Sequence, residues 1–348
     1  VARRLLWAGL VLAPVTIVAR FAFGAGDVTL FALAAASLIP LAWLIGESTE
    51  HAAEHTGPGI GGFLNASFGN APELIIALFA INEGLPDVVR GSLAGSVASN
   101  ILLVLGAALI VGGDAELDRR SLLAQLGLVA LAVLAFLIPS VPAFHGNPDR
   151  RSLMLLTAVV SIFLLSVYIV RTVLSLRSAH RRHEESGPDA AAGAWTMRRA
   201  LTALALATTA TALVSEIMVH SLAGFAHAAG MSEFFISIVI VAVVGNAAEH
   251  GGAVVIASRG KMKLATEIAI SSSAQVALLV APAVALLSFA FPDALPLSFR
   301  PIELVAMGGA ALVVAIVIRD GKSRRWEGYF LVGVYVALCA GFWVAGDR

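Results

Sequence analysis

A five-residue segment, Gly69-Asn70-Ala71-Pro72-Glu73, returns as Gly245-Asn246-Ala247-Ala248-Glu249, an offset of 176 residues, and each copy lies in the middle of a long apolar run. With no gap at that offset, Gly84 aligns with Gly260, Ser96 with Ser272, Ala98 with Ala274, and Leu102-Leu103-Val104 with Leu278-Leu279-Val280. The repeat therefore covers a helix, its loop and the next helix. A carboxylate in the middle of an apolar helix costs about 3 kcal/mol or more and marks an ion or proton route by default. Two such carboxylates in duplicated surroundings predict a shared cation site at the junction of two related halves.

Hydrophobic residues make up 59% of the chain and charged residues 13%, with a mean hydropathy of +0.89. A chain of 348 residues with that composition is expected to be a polytopic membrane protein. The formal net charge is zero, so bulk charge points to no nucleic-acid partner. The single Cys339 excludes an internal disulfide and a cysteine cage for a metal.

Counting runs of about 20 apolar residues gives about eleven spans, near 5–23, 28–49, 60–82, 88–113, 121–143, 151–175, 199–226, 233–257, 264–291, 301–318 and 327–346. Arg3 and Arg4 ahead of the first run imitate a signal peptide, but Pro14, Arg20 and the lack of a small-residue cleavage pattern argue for a retained helix. The expected fold is all-α: an extra N-terminal helix (1–26), a five-helix half (27–176), a polar linker (177–197) and a second five-helix half (198–348).

Basic residues orient this layout. With the N-terminus in the cytoplasm, the outside keeps Arg20, Arg90, Arg150, Arg151, Arg300 and Arg348, and the other 17 of the 23 Lys and Arg fall inside. The C-terminus is then outside. Glu73 lies in the third span and Glu249 in the eighth, an odd step of five, so the two copies cross the membrane in opposite directions and the repeat is inverted.

Spacing supplies the chemistry. Asn70 and Glu73 share a helix face, as do Asn246 and Glu249, and Gly69, Pro72 and Gly245 weaken the helix where a polar cavity tolerates a break. The next helix of each repeat adds oxygen donors: Ser96, Ser99 and Asn100 in the first, Ser272, Ser273 and Gln275 in the second. Carboxylates, amide oxygens and hydroxyls are the hard ligands that Ca²⁺ prefers, although small and hydroxyl residues also serve close helix packing. Two adjacent buried carboxylates cannot both stay ionised without a counter-charge, so protons or a divalent cation must fill the site. His250 adjoins Glu249 and is placed either to tune it or to pack between helices.

The run Gly62-Phe63-Leu64-Asn65-Ala66-Ser67-Phe68-Gly69-Asn70-Ala71-Pro72-Glu73-Leu74-Ile75, with Gly245-Asn246-Ala247-Ala248-Glu249-His250, closely resembles the signature repeats of the calcium/proton exchangers, the CAX branch of the calcium/cation antiporters. The resemblance implies an antiporter, with Glu73 and Glu249 carrying Ca²⁺ or protons in competition. It also implies that Asn70, Asn246, Ser99 and Gln275 complete the coordination shell, with Ser96, Asn100, Ser272 and His250 in support. Ca²⁺ and H⁺ are the implied substrates, with no cofactor. Sodium-coupled relatives usually have a hydroxyl residue where Ala71 and Ala247 stand, which favours protons over the alternative of Na⁺/Ca²⁺ exchange.

The helix pair carrying Glu50 and Glu54, and Glu216 with His220, resembles the family's mobile gating helices. It assigns Glu50, Glu54 and Glu216 to an ion or proton pathway, against a reading as solvated interfacial residues. Family members often carry an acid-rich helix between halves, whereas this linker has only Glu184, Glu185 and Asp189 amid Arg and His. The absence of a long N-terminal extension points to a bacterial inner membrane. One motif supports a rival from another class: His51-Ala52-Ala53-Glu54-His55 matches H-x-x-E-H, the pattern of a zinc hydrolase. That rival leaves the duplicated glutamates unexplained.

Overall fold

A computed structural model describes residues 2–144, 146, 149–186 and 195–346; of residues 2, 57–63, 65–67 and 176–186 it describes the backbone alone. The N-terminal run forms two helices, α1 (Ala2–Gly9) and α2 (Leu12–Phe21). Pro14 lacks an N–H and its ring crowds the Leu10 carbonyl, so a single straight helix is broken there. Next come α3 (Asp27–Phe68), α4 (Ala71–Asn82), α5 (Pro86–Ser99), a π-helical turn (Asn100–Val104), α6 (Leu105–Gly112), the two-residue β1 (Ala115–Glu116), α7 (Arg119–Phe144) and α8 (Arg150–Ser186).

The second half begins with α9 (Met197–Ala229), the single turn α10 (Glu233–Phe235), a π-helical turn (Ile236–Val241), α11 (Ala242–Gly245) and α12 (Ala247–Ser258). It continues with α13 (Met262–Gln275), a third π-helical turn (Val276–Val280), α14 (Ala281–Leu287), α15 (Pro301–Val317), β2 (Lys322–Ser323) and α16 (Arg325–Ala345). β1 and β2 pair antiparallel, Ala115 opposite Ser323.

The offset of 176 residues holds in the backbone. α4 and α12 begin and end at equivalent residues, as do α5 and α13, and the π-helical turns Asn100–Val104 and Val276–Val280 follow in register. Gly84 and Gly260 both take positive φ, 71° and 77°, at the same turn of each copy, a conformation that favours glycine. Asn70 and Asn246 share one dihedral pair, φ −99° ψ 14° and φ −92° ψ 8°, where the helix breaks.

Several expected boundaries change. Among the described residues nine helices are long and apolar enough to cross a membrane, or up to ten when Glu233–Gly245 and Ala247–Ser258, bent by 58°, are taken as one span. The count of eleven treated 60–82 as a full span, whereas its apolar helix among the described residues is the short α4. The interval between the spans expected at 28–49 and 60–82 is helical: the α3 backbone runs through it. The polar stretch expected as a linker from 177 is helical as far as Ser186, and the rest of it up to 194 lies outside the described residues.

Loops of both halves meet around three arginines. Arg90 donates to the Pro296 carbonyl at 3.2 Å, Arg150 pairs with Asp293 at 2.9 Å, and Arg300 donates to the Gly346 carbonyl at 3.1 Å. Leu134, Ile138, Leu155, Ile162, Leu312 and Ile316 are exposed on the outer helices, an apolar coat suited to lipid.

Candidate cation site

Each site glutamate occupies the third position of a short helix that starts at a break. Asn70 stands at the N-cap of α4 and Asn246 at that of α12, but neither side chain caps its own helix. An N-cap asparagine ordinarily accepts from the first turn; here both amides reach across the repeat boundary instead. Asn70 Nδ2 donates to Gln275 Oε1 at 2.8 Å, and Asn246 Nδ2 donates to Ser96 Oγ at 2.8 Å. The asparagines thus link residues 205 and 150 positions apart.

Glu73 is 8% exposed, and its Oε2 has no hydrogen-bond partner among the described residues. Its side chain lies against Gly245, four residues before Glu249. Glu249 is half-buried and accepts a short hydrogen bond from Ser272 Oγ. Both carboxylates sit at the positive end of a helix dipole, worth about 0.3–1 kcal/mol. That is well below the cost of burying two like charges, so the pair needs a cation or protons.

A directed hydrogen-bond chain surrounds Glu249. Asn246 Nδ2 also donates to the Ala242 carbonyl at 2.9 Å, a group that can only accept. Asn246 Oδ1 is therefore an acceptor, and Asn100 Nδ2 donates to it at 3.2 Å and to Ser272 Oγ at 2.9 Å. Asn100 Oδ1 is left to accept from His250 Nε2, at 2.8 Å, which assigns that nitrogen its hydrogen. Since Ser272 Oγ accepts from Asn100, its own hydrogen goes to Glu249. Asn100 and His250 have no polar counterpart in the other half, where Val276 and Leu74 stand.

The backbone approach behind this geometry rests on glycine. A Cβ on Gly95 would strike the Ile238 carbonyl and one on Gly91 the Ser237 hydroxyl, so α5 lies directly against the π-helical turn of the second half. These two glycines were missed among the candidate residues; their four-residue spacing is the small-x-x-x-small signal of close helix approach.

Other candidates fall elsewhere. Ser99 is buried but turns its hydroxyl back to the Ser96 carbonyl at 3.2 Å, not across to the other half. Glu50, Glu54 and Glu216 are exposed and stand apart from the hydrogen-bonded shell. His51, Glu54 and His55 do not converge on one point: His51 Nδ1 lies 3.1 Å from Glu54 Oε2, while His55 Nε2 meets the Trp195 carbonyl at 2.6 Å. Among the described residues no group of three His, Cys, Asp or Glu is arranged to hold a metal, and the zinc-hydrolase alternative is set aside.

A profile of the family described as sodium/calcium exchanger protein matches residues 27–177 and 199–344. The chain is 39% identical over 329 residues to the Ca²⁺/H⁺ antiporter ChaA of Bacillus subtilis, covering 90% of this chain and 92% of that protein. It is 35% identical to vacuolar cation/proton exchanger 1a of Oryza sativa subsp. japonica, over 95% of this chain and 78% of that one. Its fold superposes on the structure of native YfkE with a TM-score of 0.84 at 35% identity, covering 99% of this chain and 100% of that one. Members of this family are transporters and not enzymes. The chain is an integral membrane protein that belongs to the sodium/calcium exchanger family, in its calcium/proton exchanger branch.

Proposed function

We propose that this protein is a secondary antiporter that exchanges Ca²⁺ for H⁺ by alternating access, with Glu73 and Glu249 binding the two cations in competition. The observation that carries this reading is that the repeat glutamates of opposite halves border one shell of amides and hydroxyls supplied by both, Glu73 against Gly245 and Glu249 on Ser272. The Bacillus subtilis and Oryza sativa relatives, named for Ca²⁺/H⁺ antiport and cation/proton exchange, support the same assignment.

Asn70, Asn246, Gln275 and Ser99 complete the coordination shell in this reading, and Ser96, Asn100, Ser272 and His250 hold it in place. Ca²⁺ is a hard cation that takes six to eight oxygens, and it replaces the protons that otherwise neutralise the carboxylates. The empty, doubly charged site is the state of highest cost, which suppresses leak. Glu50, Glu54 and Glu216 lead between the site and the aqueous phases.

The two halves, 27–176 and 198–348, exchange roles about the fixed site, joined by the linker at 177–197 and preceded by the extra helix at 1–26. The membrane is a bacterial inner membrane, with the N-terminus cytoplasmic and the C-terminus outside, so an inward proton gradient drives Ca²⁺ out. The test is transport in proteoliposomes under an imposed pH gradient or an imposed Na⁺ gradient. Uptake of ⁴⁵Ca²⁺ driven by pH and indifferent to Na⁺ is expected; uptake driven only by Na⁺ overturns the proton assignment.

A further inference from the structure

Hydroxyl side chains in a helix commonly close on their own backbone, donating to the carbonyl four residues back. The exposed threonines of α9 do so: Thr202 Oγ1 donates to the Arg198 carbonyl at 2.8 Å and Thr209 Oγ1 to the Ala205 carbonyl at 2.9 Å. Thr208, Thr211 and Ser215 of the same helix do not. Their hydroxyls are buried and have no hydrogen-bond partner among the described residues, and Thr211 and Ser215 are fully buried as residues. Positions i, i+3 and i+7 share a helix face, so the three make a stripe about 10 Å long on the side of α9 turned into the bundle.

The stripe stands at the level of Glu73. α4 packs against α9, and in the topology above both run outward. At their outer ends His220 Nδ1 is 4.0 Å from Glu83 Oε2. From Glu83 inward to Glu73 is about 15 Å of helix, and the same distance along α9 leads from His220 to Ala210, between Thr208 and Thr211. Glu73 Oε2 is likewise without a hydrogen-bond partner among the described residues, whereas Glu249 has Ser272. Toward the cytoplasm the stripe continues through Leu204, which packs with Ala207 against Ile45 and Ala52 of α3. Ser48 shares that face of α3. It is fully buried with its hydroxyl unpartnered among the described residues, while the adjacent Thr49 donates to the Ile45 carbonyl at 2.7 Å.

We propose that Ser48, Thr208, Thr211 and Ser215 line a hydrated route by which Ca²⁺ passes between the cytoplasm and Glu73. The proposal deepens the antiport reading above and rests on it. A buried hydroxyl left unpartnered is destabilising, and polar side chains turned into a membrane bundle mark substrate pathways. Four of them aligned with an open carboxylate oxygen share one explanation. Neutral hydroxyl oxygens can stand in for hydration water around a hard cation. They do so without a charge that would trap the ion before it reaches the carboxylates.

Two sets of variants test it. In a Cys339→Ser background, Thr211→Cys and Ser215→Cys should react with aminoethyl methanethiosulfonate about tenfold faster than Thr209→Cys, because the reactive thiolate is disfavoured in apolar surroundings. Ca²⁺ should slow both reactions. Thr211→Val and Ser215→Ala should each lower pH-driven ⁴⁵Ca²⁺ uptake into everted vesicles about tenfold, while Tm stays level or rises because an unpartnered buried polar group is removed. Thr211→Ser, which keeps the hydroxyl, should recover most of the loss, and Thr209→Val, outside the stripe, should transport as wild type does. Wild-type uptake by the Thr211→Val/Ser215→Ala double variant, or thiols at Thr211→Cys and Ser215→Cys no more reactive than at Thr209→Cys, overturns the route. Absence of uptake by the wild type would overturn the functional reading instead, and the thiol labelling would still decide whether the stripe is hydrated.

Discussion

Glu73 rests on Gly245: a Cβ built at that glycine would stand 3.4 Å from Glu73 Cγ and 3.8 Å from Oε1. The first-half carboxylate is thus seated on the residue just before the helix break of the second half. A methyl group at 3.4 Å is in ordinary van der Waals contact, so Gly245→Ala should transport within about threefold of wild type. A branched side chain must push Glu73 aside, and Gly245→Val should lose about tenfold or more while staying folded, since even a misplacement of about 1 Å costs on the order of a hundredfold at a reacting centre. Initial rates of ⁴⁵Ca²⁺ uptake, with size-exclusion profiles as the control for folding, decide between these outcomes.

Replacing either repeat glutamate removes a negative charge that no neighbouring carboxylate restores. Glu73→Gln and Glu249→Gln should each abolish pH-driven Ca²⁺ uptake into everted vesicles. Neither should lower thermal stability in the absence of Ca²⁺, because each removes like-charge repulsion from a buried pair. Persistent uptake in either variant would sink the carrier assignment.

Asn100 is the hub on which Asn246, Ser272 and His250 converge. Asn100→Ala strands buried donors and acceptors at about 1–3 kcal/mol each, and should lower Tm by several degrees as well as the transport rate. Asn100→Asp keeps the acceptor for His250 but loses the donor to Asn246 and Ser272, so it should restore stability only in part and transport hardly at all. Differential scanning fluorimetry beside uptake assays checks both.

Gly95 allows α5 to lie against the Ile238 carbonyl. Gly95→Ala places a methyl group on backbone that has no side chain to rotate away, and core overpacking typically costs about 1–3 kcal/mol. A lower Tm and a loss of uptake larger than for Gly245→Ala are the expected results. Equal behaviour of the two variants would show that this approach is not tight.

What the residues determine without coordinates follows from periodic and local physics. Apolar runs interrupted by duplicated glutamates dictate a membrane-embedded pair of related halves, since only helices satisfy backbone polar groups in lipid and a buried charge needs a purpose. Asn70, Glu73, Asn246 and Glu249 were legible for that reason, and Gly84 and Gly260 fall at equivalent positive-φ turns.

Tertiary structure decided the rest, because pairings between residues 146 to 205 positions apart depend on how two halves dock. Three-residue spacing put Asn70 beside Glu73 on one face, but it could not say that the amide would reach Gln275 rather than cap its own helix. Nor could it turn Ser99 away from the opposite half, or make Asn100 the link between His250 and Ser272. The His51-x-x-Glu54-His55 motif shows the same limit: helical spacing set His51 beside Glu54, and only the placement of Trp195 against α3 gave the two histidines a further partner.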